Sequence, residues 1–269
     1  MGTVLELALV APDRASADRE MESAFAEVAE LDALLARRNP KSEVAALNRL
    51  AGEAPLSVEP RVFALIERSR ELARTTDGTF DVTIGPLVVL WIEAATRGRL
   101  PAESQVREAQ SLVSATDIEL EESRVRLPRN GMSIDLGGIA KGYALDRVAA
   151  QLRAAGTSDA LLSFGQSSGW ALGSPPDAPG WRLLLRGPSG GFLGVVTLRD
   201  RAFSVSSSLG QWSEIEGLRL GHIIDPRTGW PITRGREAAV VSDDATRAEA
   251  LSTALTILDP DRGIELIDA

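Results

Sequence analysis

Apolar residues in the first third of the chain recur at two spacings, and each spacing predicts a type of element. Residues 3–10, TVLELALV, alternate in the manner of a β-strand. From Asp13, a candidate N-cap, apolar residues keep helical spacing as far as Leu35. Ser42 is placed to cap a short helix, and Pro60 suits the first turn of another that runs to about residue 74.

Turn-forming dipeptides interrupt the next segment. In residues 75–91, TTDGTFDVTIGPLVVLW, the Asp-Gly and Gly-Pro pairs predict turns, so we expect this apolar run to pass along the core as a loop. A helix is predicted near residues 103–113, followed by a hairpin at 118–127 and a short strand at 132–135.

The second half of the chain shows one clear helix and many strand signals. Leu145, Val148, Ala149 and Leu152 recur at i, i+3, i+4 and i+7, which predicts an amphipathic helix ending at Gly156. Residues 161–208 are strand-rich, and residues 238–242 predict a strand that leads through an Asp243 or Asp244 cap into a helix ending near residue 258. Because helices come first and strands later, we expect an α+β fold, as one compact unit with two layered subregions.

Composition and charge narrow the function classes. With 44% hydrophobic and 25% charged residues, the 269-residue chain falls in the ordinary globular range, and no apolar run approaches the roughly 20 residues of a membrane span. A net charge of -9 argues against nucleic acid or an anionic membrane as partner. The absence of cysteine excludes disulfides and thiolate catalysis. No secretion signal precedes the first element, so we expect a cytoplasmic chain as given, or an exported one if a leader was removed before Met1.

A glycine turn before the amphipathic helix is a candidate anion site. Gly137 and Gly138 follow the predicted short strand, and the unpaired backbone N–H groups of a helix start attract anions. Lys141 falls in the first turn of the helix, where the helix dipole disfavours a cation unless a phosphate joins it. Lys41 and Lys141 are the only lysines among 29 basic residues. Asp135, just ahead, is placed to accept hydrogen bonds from a sugar or ring N–H. The alternative is an ordinary glycine turn with an exposed lysine.

Two further sets of residues carry possible chemistry. Glu249, Ser252 and Thr253 lie within one arc of the last predicted helix, and such oxygen ligands suit Mg²⁺ rather than zinc. The alternative is a solvated helix face. His222, the single histidine, stands beside a tight turn in HIIDPRTGWP, residues 222–231, where it can move a proton, contact a phosphate or serve structure alone.

These segments and their order resemble the ApbE family, the FAD:protein FMN transferases, over nearly the whole chain. The matching stretches are MGT at residue 1, LLARRNPKSEVAALN at 34–48, DGTFDVTIGPLVVLW at 77–91, IDLGGIAKGYALDRV at 134–148, HIIDPRTGWP at 222–231 and AEALSTAL at 248–255. Six stretches in the right order are specific, although each alone is weak.

The resemblance implies a single domain, residues 1–269, with a T-fold-related architecture and FAD in a cleft between two subregions. It implies Mg²⁺-dependent transfer of FMN from FAD to a threonine hydroxyl of an acceptor protein, with release of AMP. The implied flavin-nucleotide contacts are Met1, Arg38, Asn48, Thr79, Phe80, Asp81, Asp135, Lys141 and Ile224. The implied metal ligands are the carbonyl of Gly138 with Glu249, Ser252 and Thr253, and His222 is the candidate catalytic residue.

Several positions depart from the family pattern. The family usually has aspartate where this chain has Glu249, and an aromatic residue is frequent where it has Arg38. Around residues 164–170, FGQSSGW, the family more often has two glycines and an acid. Around residues 204–210, SVSSSLG, it often reads Thr-Ser-Gly. Three alternatives therefore stay open: an FAD pyrophosphatase that gives FMN and AMP, a non-enzymatic FAD-binding protein, and a serine hydrolase built on Ser206 to Ser208 and His222.

Overall fold

The computed structural model describes residues 2–187 and 190–268. The helices are α1 (Arg14–Leu35), α2 (Glu43–Arg49), α3 (Pro60–Thr75), α4 (Gly85–Arg97), α5 (Glu103–Ser111), α6 (Ala140–Ala154), α7 (Ala245–Ile257) and α8 (Pro260–Asp268). The strands are β1 (Leu5–Leu9), β2 (Leu56–Ser57), β3 (Glu119–Glu121), β4 (Arg124–Arg126), β5 (Ala160–Phe164), β6 (Ser168–Leu172), β7 (Trp181–Arg186), β8 (Phe192–Leu198), β9 (Arg201–Ser207), β10 (Trp212–Ile215), β11 (Leu218–Gly221) and β12 (Glu237–Ser242). This mixture of helix and sheet confirms the predicted α+β class.

The predicted helix caps form. The Asp13 carboxylate accepts a hydrogen bond from the backbone N–H of Ser16, 2.8 Å away, at the start of α1. Ser42 Oγ accepts from the N–H of Ala45 at 3.0 Å at the start of α2. These contacts satisfy N–H groups that the first helical turn leaves without partners, so local sequence fixes where both helices begin.

Two predicted elements are wrong, and strands β2, β10 and β11 and helix α8 were not predicted. Residues 85–97 form helix α4 rather than a loop, because Pro86 lies in its first turn, where proline is tolerated, and Leu87 and Trp91 keep helical spacing. Residues 132–135 do not form a strand and contribute only one bridge, between Ser133 and Ile84.

The chain divides into two compact units. Unit 1 comprises Met1–Asp32, Ile139–Ser206 and Glu237–Ser252. Its main sheet has the strand order β1-β5-β6-β9-β12, with antiparallel pairing from β1 through β9. The hairpin of β7 and β8 belongs to the same unit.

Unit 2 comprises Ala33–Gly138, Ser207–Arg236 and Thr253–Ala269. It contains the sheet β2-β4-β3 and the hairpin of β10 and β11. One of its apolar clusters joins α4 and α5 to this hairpin through Leu87, Trp91, Ala94, Val106, Ile215, Leu220 and Ile224. In the described part of the chain, no helix combines the length and apolar character that a membrane span requires.

Candidate functional site

The Glu249 carboxylate is the centre of a buried polar cluster in unit 1. Glu249 lies on α7 and is only 2% exposed. It accepts hydrogen bonds from Lys141 Nζ, from the backbone N–H of Gly142 at 2.6 Å and from Ser168 Oγ at 3.2 Å. Lys141 lies in the first turn of α6, as predicted. The start of α6 thus directs a cation and a backbone donor at one carboxylate, which balances its charge.

Glycine at position 142 permits the close approach of α6 and α7. A Cβ atom there would overlap the carbonyl of Ala245 and lie 2.9 Å from the Cα of Thr246. Both neighbours are backbone atoms, which cannot rotate away. The absence of a side chain therefore allows the Gly142 N–H to reach Glu249.

Asp146 anchors the N-terminus of α7 and was not recognised from the sequence. Its carboxylate accepts from the backbone N–H groups of Ala245 at 2.7 Å and Thr246 at 2.9 Å, from Thr246 Oγ1 at 2.5 Å and from Trp170 Nε1 at 2.8 Å. Burial raises the pKa of Asp146 and outweighs these hydrogen bonds, which lower it. No motif could have shown this role, because the cap lies 99 residues from the helix it caps.

The remaining predicted metal ligands divide between the units. Ser252, in unit 1, is fully buried, so the expectation of a solvated helix face does not hold for Glu249 and Ser252. Thr253 is half-buried and, like Gly138, belongs to unit 2. Among residues 2–187 and 190–268, no three His, Cys, Asp or Glu side chains form a metal-binding group. The buried carboxylate and hydroxyl of unit 1 are nonetheless oxygen donors of the type Mg²⁺ prefers, and the ammonium on Glu249 shows that a cation fits there.

In unit 2, the Asn48 side chain contacts Ile134, the residue next to Asp135. The Asn48 side chain donates to the carbonyl of Ile134 at 3.0 Å and accepts from its N–H at 2.7 Å, which occupies the backbone groups a strand would have paired. Asp135 accepts from the N–H of Gly137 at 2.8 Å and pairs with Arg37 Nε at 2.5 Å. The Asp135 carboxylate therefore binds the backbone of the glycine turn that follows it.

Thr79, Phe80 and Asp81 also lie in unit 2. Thr79 Oγ1 donates to the Thr76 carbonyl at 2.6 Å, and the Phe80 ring would lie 3.4 Å from a Cβ atom at Gly138. Asp81 accepts from the backbone N–H of Thr83 and of Ala115, and from Thr83 Oγ1. Burial raises the pKa of Asp81.

Other predicted contacts have different surroundings. Arg38 is exposed, whereas its neighbour Arg37 is the arginine that faces Asp135. The Ile224 side chain packs in the apolar cluster of unit 2, so only its backbone is left to meet a ligand. Met1 lies outside the described residues. The nucleotide-contact assignments remain predictions.

His222 stands exposed at the end of β11. Its Nδ1 lies 3.1 Å from the carbonyl oxygen of Gln211, so Nδ1 carries the proton in the neutral ring and Nε2 holds the free lone pair. The predicted tight turn follows, with the N–H of Gly229 donating to the Asp225 carbonyl at 2.8 Å. Ser208 Oγ donates to the Arg234 carbonyl at 2.6 Å, which gives no support to a nucleophilic role.

Solved flavin transferases share this fold. The apo form of Pseudomonas stutzeri flavinyl transferase ApbE matches with a TM-score of 0.86 at 27% identity, over 99% of this chain and 84% of that one. The ApbE protein of Thermotoga maritima matches with a TM-score of 0.88 at 25% identity, over 99% of this chain and 87% of that one. The fold therefore places the chain in the flavin transferase class.

Sequence comparisons identify the family. The ApbE family model matches residues 1–269. A Klebsiella pneumoniae (strain 342) protein named FAD:protein FMN transferase is 30% identical over 269 residues, 98% of this chain and 82% of that protein. A Treponema pallidum protein of the same name is 29% identical over 265 residues, 92% of this chain and 73% of that protein. The chain belongs to the ApbE family and is a transferase.

Proposed function

We propose that this chain transfers FMN from FAD to a threonine hydroxyl of an acceptor protein in a Mg²⁺-dependent reaction that releases AMP. The observation that carries the proposal is the buried Glu249 carboxylate, on which Lys141 and the Gly142 N–H converge. A cation held beside a helix N-terminus suits a diphosphate, since both attract negative charge.

The proposed reaction balances as a phosphoryl transfer. The threonine oxygen forms a bond to the phosphorus of the FMN half of FAD, and the bond from that phosphorus to the bridging oxygen of the diphosphate breaks. AMP leaves with the electron pair, and the threonine proton passes to a base or to solvent. Such reactions depend mainly on positioning and charge stabilisation.

Residues of this chain have distinct proposed roles. Lys141 donates to a phosphate oxygen, and the exposed Nε2 of His222 accepts the threonine proton. Glu249 and Ser252, with Thr253 and the carbonyl of Gly138, are the proposed ligands of Mg²⁺. When bound, Mg²⁺ neutralises charge on the diphosphate.

The proposed FAD contacts are those implied by the family resemblance, with Asp135 and Asn48 as the best-supported pair. Asn48 is held by hydrogen bonds to Ile134, 86 residues away, and Asp135 by the nearby N–H of Gly137, so both positions are preorganised before a ligand arrives. Preorganised donors and acceptors lose less entropy on binding.

The test is incubation of the protein with FAD, Mg²⁺ and candidate acceptor proteins that carry a surface threonine. We expect AMP release together with a modified acceptor. AMP and free FMN with an unmodified acceptor would favour FAD hydrolysis. Tight FAD binding without AMP release would indicate a non-enzymatic FAD-binding protein and would contradict the proposed activity.

A further inference from the structure

Three serines occupy one face of the unit 1 sheet, at positions where a helix-covered sheet is ordinarily apolar. Ser168 on β6 and Ser204 on β9 are directly opposed cross-strand partners. Ser206 lies two residues after Ser204 and therefore on the same face. Ser168 and Ser204 are each 1% exposed, so neither hydroxyl has water as its main partner.

These hydroxyls form a continuous chain with two residues of α7. Ser206 Oγ lies 2.8 Å from Ser252 Oγ, which donates to Ser204 Oγ at 3.0 Å. Ser204 Oγ lies 3.4 Å from Ser168 Oγ, which donates to Glu249 Oε1 at 3.2 Å. Ser252 Oγ also donates to the main-chain oxygen of Glu249 at 3.0 Å, so its single proton is shared between this carbonyl and Ser204.

The carboxylate fixes the direction of this chain. An ionised carboxylate only accepts hydrogen bonds, so the single proton of Ser168 points to Glu249. Ser204 must then donate to Ser168, and Ser252 is left to donate to Ser204. As a result, the Ser252 proton is directed at Ser204 and at the main-chain oxygen of Glu249, and the Ser252 oxygen keeps a lone pair for another partner.

The Ser168 hydroxyl is a donor that the buried Glu249 carboxylate needs, but stability alone does not require the hydroxyls of Ser204 and Ser206. Replacing both partners of a buried hydrogen bond by apolar groups of similar shape is close to neutral. The neighbouring α7 positions Ala248, Ala250 and Ala254 are fully buried and apolar. The hydroxyls of Ser204 and Ser206, in a chain that ends on Glu249, therefore call for another reason.

We propose that Ser168 and Ser204 are positioning residues that orient the Glu249 carboxylate and the Ser252 hydroxyl as oxygen ligands for a divalent cation. This inference rests on the proposed Mg²⁺ requirement. Ser168 holds Oε1 of the glutamate, and Ser204 takes the Ser252 proton away from the cation. Loss of a hydrogen bond to a residue that ligates a metal commonly lowers the metal affinity by about 10- to 100-fold.

The experiment measures Mg²⁺ binding without FAD, as the rise in thermal midpoint of the full chain during Mg²⁺ titration. We expect Ser204→Ala to raise the half-saturating Mg²⁺ concentration about tenfold. Ser168→Ala gives a second, independent variant. Ser163→Ala, on the neighbouring strand β5 and outside the hydroxyl chain, is the matched control and leaves the concentration unchanged.

A double-mutant cycle separates positioning from a structural role. If Ser204 acts through Ser252, Ser204→Ala has no further effect on Mg²⁺ binding in a Ser252→Ala background. Equal Mg²⁺ binding by the unmodified chain, Ser204→Ala and Ser168→Ala would overturn the inference while leaving the proposed function intact. Absence of any Mg²⁺ response in the unmodified chain would overturn the proposed metal requirement, and this inference with it.

Discussion

The link between Asp146 and α7 gives the sharpest stability prediction. Asp146→Asn keeps the shape of the side chain but leaves one acceptor oxygen for four donors. Its amide NH2 group then faces two of these donors, either those of Ala245 and Trp170 or the two of Thr246. Loss of a helix cap costs about 0.5–2 kcal/mol, and each buried donor left without a partner costs about 1–3 kcal/mol. We therefore expect a loss of about 3 kcal/mol.

For a chain of this size, about 3 kcal/mol lowers the thermal midpoint by roughly 6–12 °C. Far-ultraviolet circular dichroism, which reports helix content, follows the melt. Asp244→Asn is the matched control, because Asp244 caps the same helix through an exposed contact to the N–H of Arg247. We expect the control to lose about 1 kcal/mol or less. Equal shifts in both variants would refute the reasoning that Asp146 is the main anchor of α7.

Three further predictions follow from the same region and from Asp81. Gly142→Ala places a methyl group against the backbone of Ala245, so α6 and α7 must separate and the thermal midpoint falls. Lys141→Ala weakens FAD binding measured by flavin fluorescence, whereas Glu249→Ala chiefly reduces Mg²⁺-dependent AMP release. Burial raises the pKa of Asp81, so the folded state holds that proton more tightly than the unfolded state. The free energy of unfolding therefore falls as pH rises from the ordinary value of 3.8 through the raised pKa, and Asp81→Asn removes this slope in urea titrations.

Each of these predictions has a contradicting result, and the glycine substitution also has a matched control. Gly194→Ala adds a methyl group where no atom lies within 4 Å, and an equal midpoint in Gly142→Ala and Gly194→Ala would contradict the packing argument. An unchanged FAD affinity in Lys141→Ala would show that Lys141 does not contribute to FAD binding. The same pH dependence before and after Asp81→Asn would show that another group titrates.

Local signals in the sequence were sufficient for much of the fold. Asp13, Ser42 and Pro60 mark helix starts through contacts within a few residues, and these starts were predicted correctly. The α4 error has a local cause too, because Gly85-Pro86 opens a helix as readily as it makes a turn. Spacing of the following apolar residues, rather than the dipeptide, decides between the two.

The candidate site was predictable only in part, because its partners are distant in the chain. The first-turn position of Lys141 follows from the glycine turn, but its contact with Glu249 spans 108 residues. The cap from Asp146 and the hydroxyl chain through Ser168 and Ser204 depend equally on tertiary packing. In the sequence, the serines appeared only as departures from the family pattern, without a role.

The proposed activity is tested most directly by intact-protein mass spectrometry of an acceptor protein after incubation with this chain, FAD and Mg²⁺. The account predicts an acceptor heavier by FMN less one water, with one AMP released per modified acceptor and the flavin mapped to a threonine. Omission of Mg²⁺ or substitution of Lys141 should abolish or strongly reduce the modification. An acceptor of unchanged mass, in the presence of enzyme that binds FAD, would contradict the account.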